Sequence, residues 1–185
     1  AAAGAARFAV VVGNDRGGPG RQPLFFAEKD AQGFRRTLVE LGDFAEDRVA
    51  LLQGAGARQL REALATAEAK MALARSAGEK ALLVVYYSGH AGAEGLELGS
   101  EVLGWQELRA LVARSGAEAK VVIVDACESG GLTQVKGATA APALDFALPP
   151  EDSVQGTAFV ASTAAVASPS RSGAEITSAT PSSAA

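Results

Sequence analysis

Cysteine, histidine and methionine are almost absent from this sequence of 185 residues, which contains one of each. A single cysteine excludes an internal disulfide, and one cysteine with one histidine excludes the usual Cys and His clusters of a metal site. We therefore expect a fold that an apolar core holds together, in a reducing and cytoplasmic compartment. No cofactor is expected, and the acidic residues leave a dependence on calcium open, because none of them forms an assignable cluster.

Long apolar runs and clusters of basic residues are also lacking. The longest strongly apolar run, Ala81 to Tyr87, is far shorter than the roughly 20 residues that span a bilayer. The net charge is -4 and the basic residues are scattered, whereas a nucleic-acid surface needs clustered Lys and Arg. We therefore expect no membrane and no nucleic acid among the partners.

Short β-branched runs alternate instead with amphipathic stretches. Runs bounded by turn residues predict strands, and apolar residues at spacings of three and four predict helices. The predicted strands are Arg7 to Asn14, Val49 to Gln53, Ala81 to Tyr87, Lys120 to Asp125 and Thr157 to Thr163. The predicted helices have apolar faces over Ala27 to Leu41, Leu60 to Ala74 and Trp105 to Val112, and residues 94–103 predict a hairpin. This alternation implies an α/β fold with a mostly parallel sheet flanked by helices.

The single histidine and the single cysteine each follow a buried strand of this predicted sheet. His90 comes shortly after the run ending at Tyr87, and Cys127 comes shortly after the run ending at Asp125. In an open parallel sheet, ligands bind outside the carboxyl ends of the strands, so the two side chains can meet if their strands are neighbours. A thiol gains reactivity from an adjacent imidazole that takes its proton. We predict Cys127 as a nucleophile and His90 as its proton-transfer partner.

The backbone around both residues is rich in glycine, which lets N–H groups approach a reacting oxygen closely. The N–H groups of Ala91 and Cys127 are the predicted oxyanion donors. A lone cysteine is more often a packing residue, and a lone histidine is more often an ordinary loop residue. The placement of both at one sheet edge favours catalysis over those interpretations.

Two motifs carry a family resemblance. Residues 86–92 (YYSGHAG) and 125–131 (DACESGG) resemble the His and Cys motifs of the caspase-like cysteine peptidases, especially metacaspases and their bacterial relatives. The resemblance extends over roughly residues 7–163. It implies a caspase-hemoglobinase-like three-layer sandwich and a cysteine endopeptidase that forms an acyl-enzyme through a Cys-His dyad. The sequence departs from the family at Ala91, commonly Gly, and at Ala126, frequently Ser.

The resemblance also suggests a specificity pocket. Asp125 and Asp30 stand where metacaspases have the acids that bind a basic side chain. Two carboxylates facing one slot repel each other unless a cation lies between them, which predicts cleavage after Arg or Lys. Alternatively, Asp30 is a solvated helix residue and Asp125 caps its strand. A pocket for Asp would instead need arginines, and Arg7, Arg16 and Arg21 keep that alternative open.

The resemblance and the composition together suggest a domain layout. We expect a peptidase domain over residues 7–167, preceded by a disordered or added leader at residues 1–6. Residues 132–156 read as a long processing or activation loop, with Lys136 as its only basic residue and candidate autocleavage site. Residues 168–185 read as a frayed or incomplete C-terminal segment. Family members usually continue with another helix and strand, so we expect a missing segment or a regulatory partner.

Two function classes follow from these features. The first is an endopeptidase whose partner is a protein or peptide substrate. The second is a catalytically silent caspase-like or flavodoxin-like module that binds a peptide or partner without cutting it. The presence of both His90 and Cys127 counts against the second class, because a binding module has no evident need for the pair.

Overall fold

A computed structural model describes residues 5–126 and 156–163. The strands in these ranges are β1 Ala6–Gly13, β2 Val49–Gln53, β3 Ala81–Ser88, β4 Gly95–Leu98, β5 Glu101–Gly104, β6 Ala119–Ala126 and β7 Thr157–Thr163. The α-helices in these ranges are α1 Ala27–Glu40, α2 Ala57–Ser76 and α3 Trp105–Ala113, and a short 3-10 turn covers Glu46–Arg48. No helix in the described part of the chain is long and apolar enough to cross a membrane.

Five of the strands form a parallel sheet in the order β2-β1-β3-β6-β7, and β4 pairs antiparallel with β5 in a separate hairpin. The predicted α/β class and every predicted strand and helix are confirmed, and the ends of β1, β3 and β6 differ from the predicted bounds by one residue. The assignment of Leu41 to a buried helix face was wrong. Leu41 lies just beyond α1 and is 83% exposed, because the chain turns away there toward Asp43, whose φ is 58°.

Side-chain alternation gives the sheet two apolar faces, each covered by helices. One face carries Val10, Leu83 and Val122 and packs against α2 and α3. The opposite face carries Val11 and Val84 and packs against α1. Strands buried on both faces are expected in a parallel sheet that lies between two helical layers. The chain is therefore a three-layer α/β sandwich.

The strand order brings the carboxyl ends of three strands to one edge of the sheet. β3 lies between β1 and β6, and Ser88 is in register with Gly13 on one side and with Asp125 on the other. The strands are parallel, so all three reach their carboxyl ends together. The segments beginning at Asn14 and Gly89 therefore leave the sheet as neighbours, next to the end of β6 at Ala126.

Candidate active site

His90 is held in a defined orientation just beyond β3. Its side chain is largely buried, with 7% of the residue exposed. The Nε2 atom of His90 lies 2.8 Å from the carbonyl oxygen of Gln22. Because a carbonyl only accepts hydrogen bonds, Nε2 carries the proton. The neutral ring then has its lone pair on Nδ1, which is the atom able to accept a further proton.

Gln22 belongs to the first loop, residues 14–26 between β1 and α1. Asn14 anchors the start of this loop, since its side-chain amide donates to the carbonyl of Ala55 at 3.1 Å and its Oδ1 accepts from the N–H of Arg16 at 2.9 Å. Gly17 lets the loop cover the imidazole. A Cβ atom at residue 17 would lie 2.5 Å from Cδ2 of His90, so a larger residue would push the loop off the ring.

Tyr87 supports the backbone on the other side of His90. Its hydroxyl lies 2.6 Å from the carbonyl oxygen of His90 and 2.7 Å from that of Glu97, and it shares its proton between them. Burial raises the pKa of Tyr87 well above its usual range, and the charge of Glu97 acts in the same direction. The phenol is therefore a permanent donor. The N–H of Glu97 also donates to the His90 carbonyl at 2.9 Å, which ties the histidine backbone to β4.

Ala91, a predicted oxyanion donor, follows directly. It forms an isolated antiparallel bridge with Leu96. The hydrogen bonds that flank this bridge are donated by the N–H groups of Gly92 and Glu97. They leave the N–H of Ala91 unused by the bridge, and its role as an oxyanion donor stays a prediction.

Cys127 and Lys136 both lie outside the described residues. The approach to Cys127 is nevertheless visible, because β6 ends directly before it. The N–H of Gly89 donates to the carbonyl of Asp125 at 3.3 Å, so the backbone leading to His90 adjoins the backbone leading to Cys127. The contact between the two side chains themselves stays a prediction.

The predicted pocket acids lie on the same side of the sheet. Asp30 is exposed in the first turn of α1. Asp125 is partly buried and lies on the same face of β6 as Ile123, two residues earlier, which packs on the α1 face. The pairing of the two acids in one pocket stays a prediction. Within residues 5–126 and 156–163, no group of three or more His, Cys, Asp or Glu side chains is arranged to hold a metal ion.

The arginines considered for an Asp-binding pocket lie in different places. Arg7 is near the amino end of β1, where its guanidinium contacts the Asp43 carboxylate at 2.7 Å. That position is at the opposite edge of the sheet from His90 and excludes Arg7 from a pocket there. Arg21 lies in the first loop and donates to the Glu97 carboxylate, and Arg16 is exposed in the same loop.

Three residues around His90 were missed by sequence reasoning. Gln22 acts through a backbone carbonyl, which no side-chain motif reveals. Tyr87 lies inside the histidine motif but counts there as an ordinary apolar strand residue. Glu97 could have been noticed in the sequence, because it is a carboxylate placed between two leucines. Both leucines, Leu96 and Leu98, are buried in the structure.

Comparison with known proteins agrees with this architecture. The chain is similar to the solved structure of pro-sf-caspase-1, with a TM-score of 0.54 and 15% identity over 88% of this chain and 61% of that one. It is similar to the crystal structure of caspase-1 from Spodoptera frugiperda, with a TM-score of 0.52 and 12% identity over 86% of this chain and 58% of that one. This chain thus spans about three fifths of the length of each.

Sequence comparison gives one informative result. No curated protein matches the chain significantly. The family model described as the caspase domain matches residues 6–182. That match covers nearly the whole chain and agrees with the sandwich fold, and the chain belongs to the caspase-domain family.

Proposed function

We propose that the chain is a cysteine endopeptidase that cleaves protein or peptide substrates after Arg or Lys. Membership of the caspase-domain family supports peptidase chemistry, since its members are generally cysteine peptidases. The observation that carries the proposal is the state of His90. A buried imidazole whose Nε2 proton is bound by Gln22, at the edge where β6 leads into Cys127, is prepared to take a proton on Nδ1.

The chemistry follows from that arrangement. Nδ1 of His90 accepts the thiol proton of Cys127, and the thiolate attacks the substrate carbonyl carbon, forming a C–S bond. The resulting oxyanion accepts hydrogen bonds from the N–H groups of Ala91 and Cys127. The C–N bond breaks as His90 returns the proton to the leaving amine. Water, deprotonated by His90, then attacks the acyl-enzyme, and the C–S bond breaks to release the acid and restore the thiol.

The carbonyl of Gln22 has two tasks in this cycle. It fixes the ring orientation, so that Nδ1 rather than Nε2 faces the thiol. It also places the negative end of a carbonyl dipole beside the ring when His90 becomes positively charged, which stabilises the imidazolium. A backbone group thus does what a carboxylate does in a catalytic triad.

Specificity for a basic side chain rests on Asp30 and Asp125. Both lie on the α1 side of the sheet, and a cationic substrate side chain would relieve the repulsion between the two carboxylates. The alternative specificity for Asp has less support. Arg7 lies at the edge of the sheet opposite His90, and Arg21 already binds Glu97. This preference makes the protein metacaspase-like within the family and similar to the bacterial relatives.

Activation by self-cleavage is the remaining part of the proposal. Within the proposed peptidase domain at residues 7–167, we assign the processing role to the segment 132–156. Lys136 is its only basic residue, so a pocket selective for Arg or Lys would cut after it. The thiol must stay reduced to act, which favours a reducing, cytoplasmic compartment.

Fluorogenic peptides that differ only in a final Arg, Lys or Asp test the proposal. The parent protein should release fluorophore from the Arg and Lys peptides, Cys127→Ala should release none, and His90→Asn should release it far more slowly. A peptide electrophile ending in Arg should label the parent protein at Cys127, with one inhibitor molecule bound per chain. Glu62→Gln alters an exposed helix residue far from the site and is the matched control. Absence of both turnover and labelling would favour the silent binding module.

A further inference from the structure

The side chain of Glu97 joins the β4 strand to the first loop. Its Oε2 accepts from the N–H of Gly18 and from Nε of Arg21, both at 3.0 Å, and its Oε1 accepts from Nη2 of Arg21 at 2.5 Å. The carboxylate is therefore bound by a two-pronged guanidinium and by one backbone donor. A further tie runs nearby, where the N–H of Gly99 donates to the carbonyl of Arg16 at 3.1 Å.

The backbone of Glu97 is bound to the histidine itself. Its N–H donates to the carbonyl of His90 at 2.9 Å, and its carbonyl accepts from the Tyr87 hydroxyl at 2.7 Å. One residue thus contacts both structures that enclose the imidazole. Its backbone holds the chain that carries His90, and its side chain holds the loop that carries Gln22.

The ion pair between Glu97 and Arg21 does more than stabilise the fold. Arg21 has 42% of its side chain exposed, whereas Glu97 has 12% exposed. Solvent at the half-exposed guanidinium limits, without abolishing, what this ion pair contributes to folding stability. What a bidentate pair supplies is a fixed geometry, and here that geometry sets how far the first loop lies from the imidazole. Burial acts to raise the pKa of Glu97, but the hydrogen bonds from Arg21 and Gly18 together with nearby positive charge hold it below its ordinary value, so the carboxylate stays charged.

We propose that Glu97, bound by Arg21 and Gly18, is a positioning residue that keeps the Gln22 carbonyl on Nε2 of His90. Without this clamp, the first loop moves away from the ring, and the imidazole rotates or changes its tautomer. The consequence for peptide cleavage rests on the proposed function, since it needs His90 as the proton-transfer group. The consequence for the imidazole does not.

The single histidine makes a direct test practical. In protein without a histidine tag and with Cys127→Ala to prevent self-cleavage, a proton–nitrogen correlation spectrum contains the imidazole of His90 alone. The parent protein should show one Nε2–H tautomer with a slowly exchanging proton. Glu97→Leu should show mixed tautomers and fast exchange. Arg21→Gln should show a smaller change in the same direction, and Glu62→Gln, which loses the exposed pair with Arg58, should show none.

Steady-state kinetics of variants that keep Cys127 provide a second test of the role of Glu97. Glu97→Leu should lower kcat by about ten- to a hundredfold while KM changes by less than about twofold, because the group that is displaced acts in the chemical step. Glu97→Gln keeps an oxygen for the Gly18 N–H and should recover part of that loss.

Folded Glu97→Leu and Arg21→Gln proteins with the imidazole spectrum of the parent would overturn the proposal. Should Glu97→Leu fail to fold, Arg21→Gln decides, because its side chain is the more exposed end of the pair. The spectrum requires no catalysis. A parent protein that cleaves no peptide would therefore overturn the proposed function alone, and the imidazole signals would still decide the role of Glu97.

Discussion

The imidazole of His90 is oriented by the backbone carbonyl of Gln22, at 2.8 Å from Nε2, and the Gln22 side chain plays no part in that bond. Gln22→Ala should therefore retain activity within about twofold, because the substitution keeps the carbonyl. His90→Asn should lower kcat by about 10²- to 10⁴-fold, the range that general acid–base catalysis supplies. Steady-state kinetics on an Arg-terminated peptide measure both. A Gln22→Ala protein as inactive as His90→Asn would contradict the backbone role.

The Tyr87 hydroxyl is the buried donor for two carbonyls. Tyr87→Phe should reduce the free energy of unfolding by about 1–3 kcal/mol, because it leaves buried acceptors with fewer donors. Urea denaturation measures the loss. Thr37→Val is the matched control, since it removes an exposed hydroxyl that donates to Gly33, and it should change the free energy by less than about 0.5 kcal/mol. Equal effects of the two substitutions would refute the bracing role of Tyr87.

The lowered pKa of Glu97 predicts a pH-dependent contribution to stability. Burial acts to raise this pKa, but the hydrogen bonds from Arg21 and Gly18 and the charges of Arg21 and His90 together lower it. A carboxyl whose pKa is lower in the folded state stabilises the fold above its unfolded value and loses that contribution as pH falls through the folded value. Parent protein should exceed Glu97→Gln in unfolding free energy at neutral pH. The difference should shrink below pH 4.5, the ordinary glutamate value.

Chemical denaturation of both proteins across this acid range provides the measurement. Glu62→Gln, which removes an exposed partner of Arg58, should differ from the parent by less than about 0.5 kcal/mol at neutral pH. A gap between parent and Glu97→Gln that stays constant down to strongly acidic pH would show that charge on Glu97 is not what stabilises the loop.

Asp30 and Asp125 should govern the preference for basic substrates. Asp125→Asn and Asp30→Asn remove one charge each without a large change in volume, and each should lower kcat/KM for an Arg-terminated peptide by about ten- to a hundredfold. Alkylation of Cys127 by a small reagent should stay close to the parent rate. Asp47→Asn, exposed just before β2 at the far edge of the sheet, is the control. Unchanged selectivity in both pocket variants would remove the pocket assignment.

Self-cleavage should occur after Lys136. Prolonged incubation of active protein should give two fragments whose intact masses correspond to a cut between Lys136 and Gly137. Both Cys127→Ala and Lys136→Ala should stay whole, while Lys120→Arg, which keeps a basic residue in β6, should be cut like the parent. An active enzyme that remains intact throughout would leave the peptidase proposal in place and remove this activation step.

Much of the fold could be predicted from the sequence because parallel strands buried on both faces leave nearly continuous apolar runs, as in β1, β3 and β6. The position of His90 after β3 followed from the same runs. The contact with Gln22 could not be read, since it depends on the path of a loop and on a backbone atom present in every residue. Leu41 was wrongly predicted to be buried, because helical spacing predicts a buried face but does not locate the residue where the helix ends.

The placement of β3 between β1 and β6 has a consequence during biosynthesis. Parallel pairing across residues 6–126 requires long segments to close before β3 gains both of its neighbours, and such pairing is slow compared with helix formation. A chain still emerging from the ribosome therefore holds His90 before β6 has joined the sheet beside it. Under the proposed mechanism, such a nascent chain cannot cut the ribosome or the chaperones around it, and proteolytic risk begins only once β6 has joined the sheet.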